Sequence, residues 1–293
     1  MEGCMLCPRR CGVNRADVRG FCGQTEAVRV ARAAPHFGEE PPISGTRGSG
    51  AVFFSGCTLR CCFCQNAEIS ADGFGREITI ERLSDIFLAL AAQGVHNLNL
   101  VSGTQFAPQI AQALARVKGR LHIPVLWNSS GYECPETLHR LDGLIDIYLP
   151  DLKYRSAERS ERYSRARDYF EVASRAVCEM QRQTGAPRFA PDGTMQRGTI
   201  VRHLVLPGGR HDSIAVIRWL AEQFAPQELN VSVMAQFTPD FVRGEFPELR
   251  RKVTTFEYRS VLREAQQAGL RGFSQDPLSA ESSYTPCFDL TGV

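Results

Sequence analysis

The chain has 293 residues, 43% of them hydrophobic and 23% charged, the balance of an ordinary globular protein and not of a disordered, collagenous or coiled-coil one. Lys and Arg number 34 against 32 Asp and Glu, so no strong field argues for nucleic acid or an acidic surface as partner. No apolar run approaches the roughly 18 residues of a membrane span, and the start, MEGCMLCPRRCG, has no signal-peptide core; a cytoplasmic protein with one large domain and a small extra piece is expected.

Eleven cysteines are many for this length, with four in the first 22 residues and four between 57 and 64. Closely spaced thiols in a reducing compartment are read as metal or redox groups before disulfides. Cys4, Cys7, Cys11 and Cys22 have the spacing C-x2-C-x3-C-x10-C, with Pro8, Gly12, Gly20 and Gly23 supplying turns. Four ligands in so short a loop suit structural zinc. The same thiolates could hold an auxiliary iron–sulfur cluster, and free thiols are a third reading. Cys134, Cys178 and Cys287 stand alone and read as packing residues.

Residues 31–50 are rich in Pro and Gly and are expected to form an irregular connector, so that residues 1–50 make a cysteine-rich metal-binding extension and residues 51–293 the main domain with a C-terminal segment. Six short apolar runs come next: 51–56, 97–103, 123–129, 145–153, 200–208 and 230–237. Amphipathic helical patterns lie at 80–93, 107–118, 213–224 and 255–268. Strands apolar on both faces and alternating with helices predict a buried parallel sheet with right-handed crossovers. The fold class is therefore α/β, a partial (β/α)6 barrel; a doubly wound sheet would leave the same pattern. Residues 156–185 read as a longer helical stretch, and the polar loop APRFAPDGTMQRG after it either lies over the barrel mouth or is an exposed connector. SGTRGSG lacks the Gly-Lys-Ser/Thr ending of a phosphate-binding loop, which excludes that nucleotide-binding class.

Directly after the first strand, Cys57, Cys61 and Cys64 have the spacing C-x3-C-x2-C. A [4Fe-4S] cubane normally takes four cysteines, so three leave one iron open to a chelating ligand. S-adenosylmethionine (SAM) fits that opening through its amino and carboxylate groups, which sets its sulfonium beside a reduced cluster for one-electron cleavage to methionine and a 5'-deoxyadenosyl radical. The rival reading is a zinc knuckle or a chance group of buried thiols. Cys62 is read as a neighbour of the ligands, and Phe63 as packing beside the adenine or simply in the core.

At these residues the chain resembles the radical SAM superfamily, and more narrowly the pyruvate formate-lyase-activating enzymes and their uncharacterised relatives. The resemblance covers roughly residues 50–240 and implies a partial (β/α)6 barrel. Where members carry a Gly-Gly-Glu-like segment for the SAM amine, this chain has Ser102-Gly103-Thr104, without the carboxylate. The resemblance also places Asn128, Ser130, Asp151 and Lys153 beside SAM. Some members hold a monovalent cation there; Asn128 stands where a carboxylate is common. Arg202 matches an arginine that engages the SAM carboxylate, and Gln236 a position that touches the adenosine, while His203, on the opposite strand face, is expected to be packed.

The implied activity is hydrogen abstraction from a protein or peptide substrate, with glycyl-radical enzyme activation as the analogy and a flavodoxin- or ferredoxin-type protein as electron donor. Alternatives are radical modification of a peptide, RNA or small metabolite, although no basic aromatic patch favours RNA, or a non-catalytic iron–sulfur or zinc-binding module.

Overall fold

The structure is a computed structural model and describes residues 3–275 and 285–293. From the N-terminal side it runs through β1 (Val28–His36), α1 (Pro41–Ser44), β2 (Ser49–Phe54), α2 (Ala67–Ser70), β3 (Arg76–Ile78), α3 (Ile80–Ala92), β4 (Leu98–Val101), α4 (Ala107–Val117), β5 (Val125–Ser129) and α5 (Pro135–His139). Then come β6 (Ile147–Pro150), α6 (Ala157–Ser164), α7 (Tyr169–Thr184), β7 (Arg188–Phe189), β8 (Met195–Leu204), α8 (Arg210–Gln223), β9 (Asn230–Met234), α9 (Thr255–Gln267) and β10 (Gly272–Ser274). The helices are set by local chemistry: Thr79 caps α3 by accepting from the Arg82 N–H, and Leu83, Ile86, Phe87 and Leu90 then fall on one buried face.

Among the described residues the strands form one sheet in the order β10-β9-β8-β6-β5-β4-β2-β1-β3, with β7 on β8. The six runs read from the sequence are β2, β4, β5, β6, β8 and β9, all parallel and each beside its expected neighbour. The sheet is open: β10 adds a further parallel strand at one edge, and β1 and β3 add antiparallel strands at the other. This is the partial barrel that the alternation of strands and helices predicts. Val52, Phe54, Leu98, Leu100, Val125 and Trp127 pack outward against α3 and α4, while Ile43, Leu126, Ile147, Leu149, Met195 and Ile200 fill the lower interior. No helix among the described residues is long and apolar enough to cross a membrane.

Two readings of local structure need correction, and for the loop after α7 the exposed connector is the alternative that holds. The stretch 31–50 is not irregular, because VRVARAAPH pairs along β2 and the next residues turn through α1 into the sheet interior. The loop after α7 does not cover the mouth: β7 pairs with the first residues of β8, Arg188 with Arg197 and Phe189 with Met195, at the end opposite the strand C-termini. The long helix of 156–185 breaks into α6 and α7, with Arg165 in the left-handed region at φ 53° closing the first.

Candidate active site

The parallel strands end at one cavity of about 380 Å³, the end where sheets of this kind place their ligands. Cys57, Cys61 and Cys64 line it from the loop after β2, Ser102 from the end of β4, Asn128 and Ser130 from β5, Asp151 and Lys153 from β6, Arg202 from β8 and Gln236 from the turn after β9; Phe63 lines it from the cysteine loop. Gly103 and Thr104 do not. A Cβ on Gly103 would lie 2.6 Å from Ile110 Cδ1, and the buried Thr104 hydroxyl donates to Glu133 Oε1 at 2.7 Å, so both serve the packing behind the strand.

The cysteine loop leaves β2 through Gly56 at φ +84°, where a Cβ would lie 2.7 Å from the Cys22 carbonyl oxygen; only glycine fits. Hydrogen bonds then point at the sulfurs: Leu59 N–H to Cys57 Sγ at 3.3 Å, Ser164 Oγ to Cys61 Sγ at 3.0 Å and Ser70 Oγ to Cys64 Sγ at 3.3 Å. Burial pushes the bare Cys61 thiol up to about 12 and raises Cys64, so these ligands give up their protons to a metal and not to solvent. Among the described residues no three His, Cys, Asp or Glu side chains converge as around a single ion. A cubane asks for a different arrangement, since each cysteine binds its own iron; three thiols on one cavity wall, each with a donor or a neighbour holding it, fit that group. Cys62 faces away from the cavity, its N–H donating to the Tyr163 carbonyl at 2.8 Å and its carbonyl accepting from Arg243.

Across the cavity Lys153 Nζ donates to Asp151 Oδ2 at 2.6 Å. Burial lowers the Lys153 pKa, but Asp151 and the thiols of Cys61 and Cys64 outweigh it, and the ammonium is favoured. Tyr169 fixes this strand end, donating to the carbonyls of Asp151 and Ser130 and accepting from the Lys153 N–H. At Gly131 (φ +72°) a Cβ would sit 2.2 Å from the Asp151 carbonyl oxygen, so the turns after β5 and β6 are in direct contact. Gln236 Oε1 accepts from Gln275 Nε2 at 2.8 Å. Phe63 packs edge-on against Phe237 with ring centroids 6.0 Å apart.

Arg202 is held from within the chain. Its Nε and Nη2 donate to Glu40 at 2.8 and 2.7 Å, Nη2 also pairs with Glu39, and Nη1 reaches Asn128 Oδ1 at 3.4 Å. Glu39 accepts in addition from Asn99 and Asn128. Burial would raise the Glu40 pKa, but the Arg202 charge overrides it and holds the carboxyl below its usual range. The guanidinium fork thus closes on Glu40, and Nη1, 3.4 Å from Asn128 Oδ1, is its most loosely held nitrogen. Glu39 and Glu40 are not legible as cavity residues in the sequence, because the Glu40–Arg202 contact spans 162 positions; the only signal is an acidic pair directly ahead of Pro41 and Pro42. Gln105 carries no such signal either: its side chain donates to the carbonyls of Ser55 and Ser102 at 2.9 and 2.8 Å and fixes the loop's first hinge. His203 packs as expected, its Nδ1 donating to the Leu152 carbonyl at 2.7 Å.

A family model for the radical SAM superfamily matches residues 51–183. The chain is 30% identical over 280 residues to the uncharacterized protein MJ0674 of Methanocaldococcus jannaschii, covering 92% of this chain and 76% of that one. The chain belongs to the radical SAM superfamily. Solved structures show the same fold at low identity. Streptococcus suis SuiB bound to the precursor peptide SuiA superposes with a TM-score of 0.52 at 12% identity, covering 75% of this chain and 46% of SuiB. A radical SAM methyltransferase from Sphaerobacter thermophilus gives 0.51 at 11% identity, covering 75% and 63%. This chain therefore spans about half of SuiB and somewhat less than two thirds of the methyltransferase. The cofactors of a radical SAM enzyme are a [4Fe-4S] cluster and SAM, and its reaction needs an electron donor.

Proposed function

We propose that this radical SAM enzyme abstracts a hydrogen atom from a protein or peptide, in the manner of the activating enzymes of glycyl-radical proteins. The observation that carries the reading is the cavity at the strand ends, which the cysteine triad lines on the open side of the sheet. Beyond the cluster loop it is lined by His36 and Phe37 at the end of β1 and by Phe273, Ser274 and Gln275 at β10, two strands that do not pair with each other among the described residues. An open sheet of this kind would admit an extended chain or loop beside the cavity, which a closed barrel would exclude.

Cys57, Cys61 and Cys64 would hold the cluster. When bound, the cluster and SAM supply reductive cleavage of the sulfonium and, through it, hydrogen abstraction. The chain's own groups bind and orient. Asp151 accepts and Lys153 donates from neighbouring positions of one strand end, suited to the ammonium and carboxylate of an amino acid. The Ser102 and Ser130 backbones add acceptors, Arg202 Nη1 adds a donor, and Gln236 reaches the base or ribose. Phe63 and Phe237 keep water from one side. A flavodoxin- or ferredoxin-type protein would supply the electron.

The substrate class is tested by incubating reduced protein with SAM and a peptide carrying α-deuterated glycine, then measuring deuterium in the 5'-deoxyadenosine formed. Enrichment is expected. Steady formation of unlabelled 5'-deoxyadenosine, with deuterium taken instead from a labelled small metabolite, would contradict the peptide reading.

A further inference from the structure

The N-terminal cysteines are folded against the cluster loop. Backbone hydrogen bonds from Cys4 N–H to the Val13 carbonyl at 2.9 Å and from Gly12 N–H to the Cys4 carbonyl at 3.1 Å close a small knuckle. Two of its thiols flank one glycine: the Cys11 and Cys22 sulfurs lie 3.3 and 3.6 Å from the position a Cβ would take on Gly20. The knuckle then touches the loop directly, because the Cys57 N–H donates to the Cys22 carbonyl at 3.3 Å.

Arg9 lies between Cys7 and Cys11, and its head group leaves the knuckle. Nε donates to the Thr58 carbonyl at 2.8 Å, Nη2 to the Ser164 carbonyl at 3.0 Å, and Nη1 to the Arg165 carbonyl. The guanidinium stacks 4.0 Å from the centroid of Phe21, the residue before Cys22. Thr58 sits between Cys57 and Cys61, and the Ser164 hydroxyl is the donor to Cys61 Sγ. One side chain rooted among four thiols therefore holds both the backbone of the cluster loop and the residue that orients one of its ligands.

We propose that Cys4, Cys7, Cys11 and Cys22 bind a tetrathiolate metal centre, and that this centre, through Arg9 and the Cys22–Cys57 contact, sets the geometry of the catalytic cluster loop. The chemistry is thiolate ligation by an iron–sulfur cage, in which each cysteine binds its own iron; no three of these side chains converge as around a single ion. Arg9 is a positioning residue. Without the metal the knuckle loses its internal cross-links, and the arginine that spans to Thr58 and Ser164 loses its fixed root. The inference rests on the cluster reading of Cys57, Cys61 and Cys64.

The test uses the full chain reconstituted anaerobically. In the variant with Cys57, Cys61 and Cys64 all replaced by Ala, metal analysis should find about four irons with matching sulfide per chain; a protein without iron, whether metal-free or holding zinc, overturns the centre. In Arg9→Gln, the electron paramagnetic resonance spectrum of the reduced cluster should shift before SAM is added, and its iron should be lost to a chelator about ten-fold faster, with Arg9→Lys restoring part of both. The paired variant Cys4→Ser with Cys11→Ser should reproduce the Arg9→Gln spectrum. Wild-type spectra and iron retention in both would overturn the clamp; should Arg9→Gln fold poorly, a wild-type spectrum in the paired cysteine variant alone would overturn it. An unmodified protein that assembles no cluster would sink the cluster reading and the clamp with it, a result distinct from a wild-type cluster that ignores the knuckle.

Discussion

His203 shows how far a single residue's chemistry can be carried from its position. It comes directly after Arg202 on β8, so alternation turns it from the cavity toward the packed side, where it is 1% exposed. Burial, joined by the nearby Lys153 charge, lowers its pKa from the ordinary 6.5 to about 4. The neutral ring is the folded form. As pH falls below about 6.5 the unfolded chain takes the proton first, and the folded chain resists until about 4. Stability from this group is therefore complete above 6.5 and lost toward 4, by about 3 kcal/mol in all. Urea midpoints across that range should fall for the unmodified chain and lose this component in His203→Gln; equal slopes would contradict the assignment. Packing of this residue is legible from strand alternation alone. The same logic puts Asp151 and Lys153 on one side of their strand end, where the structure pairs them.

Among the elements, the parallel strands are legible because fully apolar runs bounded by helical periodicity have few other homes. β1 is not. Its Pro35 and the Gly38-to-Pro42 stretch look like loop composition, and only pairing with β2 makes it a strand. The segment between β1 and β2 serves the sheet: α1 turns inward, and the acidic pair ahead of it neutralises Arg202 on β8. That ion pair is buried, with side-chain exposures of 13% for Arg202 and 6% for Glu40. Arg202 is the cation that Glu39 and Glu40 share, and removing it strands both carboxylates, so Arg202→Ala should destabilise the fold by about 3–5 kcal/mol. Denaturant titration would show it; a loss under about 1 kcal/mol would mean the pair is solvated and does not tie the connector to the barrel.

At the scale of the molecule, segments far apart in the sequence pack on the same sheet and its cluster loop. The knuckle of Cys4–Cys22 lies against the cluster loop, and the C-terminal Leu290–Thr291 backbone pairs with Ala31 and Ala33 of β1. Residues far apart in sequence thus frame one opening, which is why the cysteine spacing announces the cofactor while the floor of the cavity and the clamp on its loop stay hidden. Spacing is a local code that a metal reads within eight residues, Cys57 to Cys64; the contact between Arg9 and Ser164 spans 155.

The most direct test of the account is the amount of 5'-deoxyadenosine formed from SAM by anaerobically reconstituted, dithionite-reduced protein, measured beside its iron and sulfide content. The account predicts product from the unmodified chain and only background from Cys57→Ala, Cys61→Ala and Cys64→Ala. Undiminished product from Cys61→Ala, or none from a fully loaded and reduced unmodified protein, would contradict it.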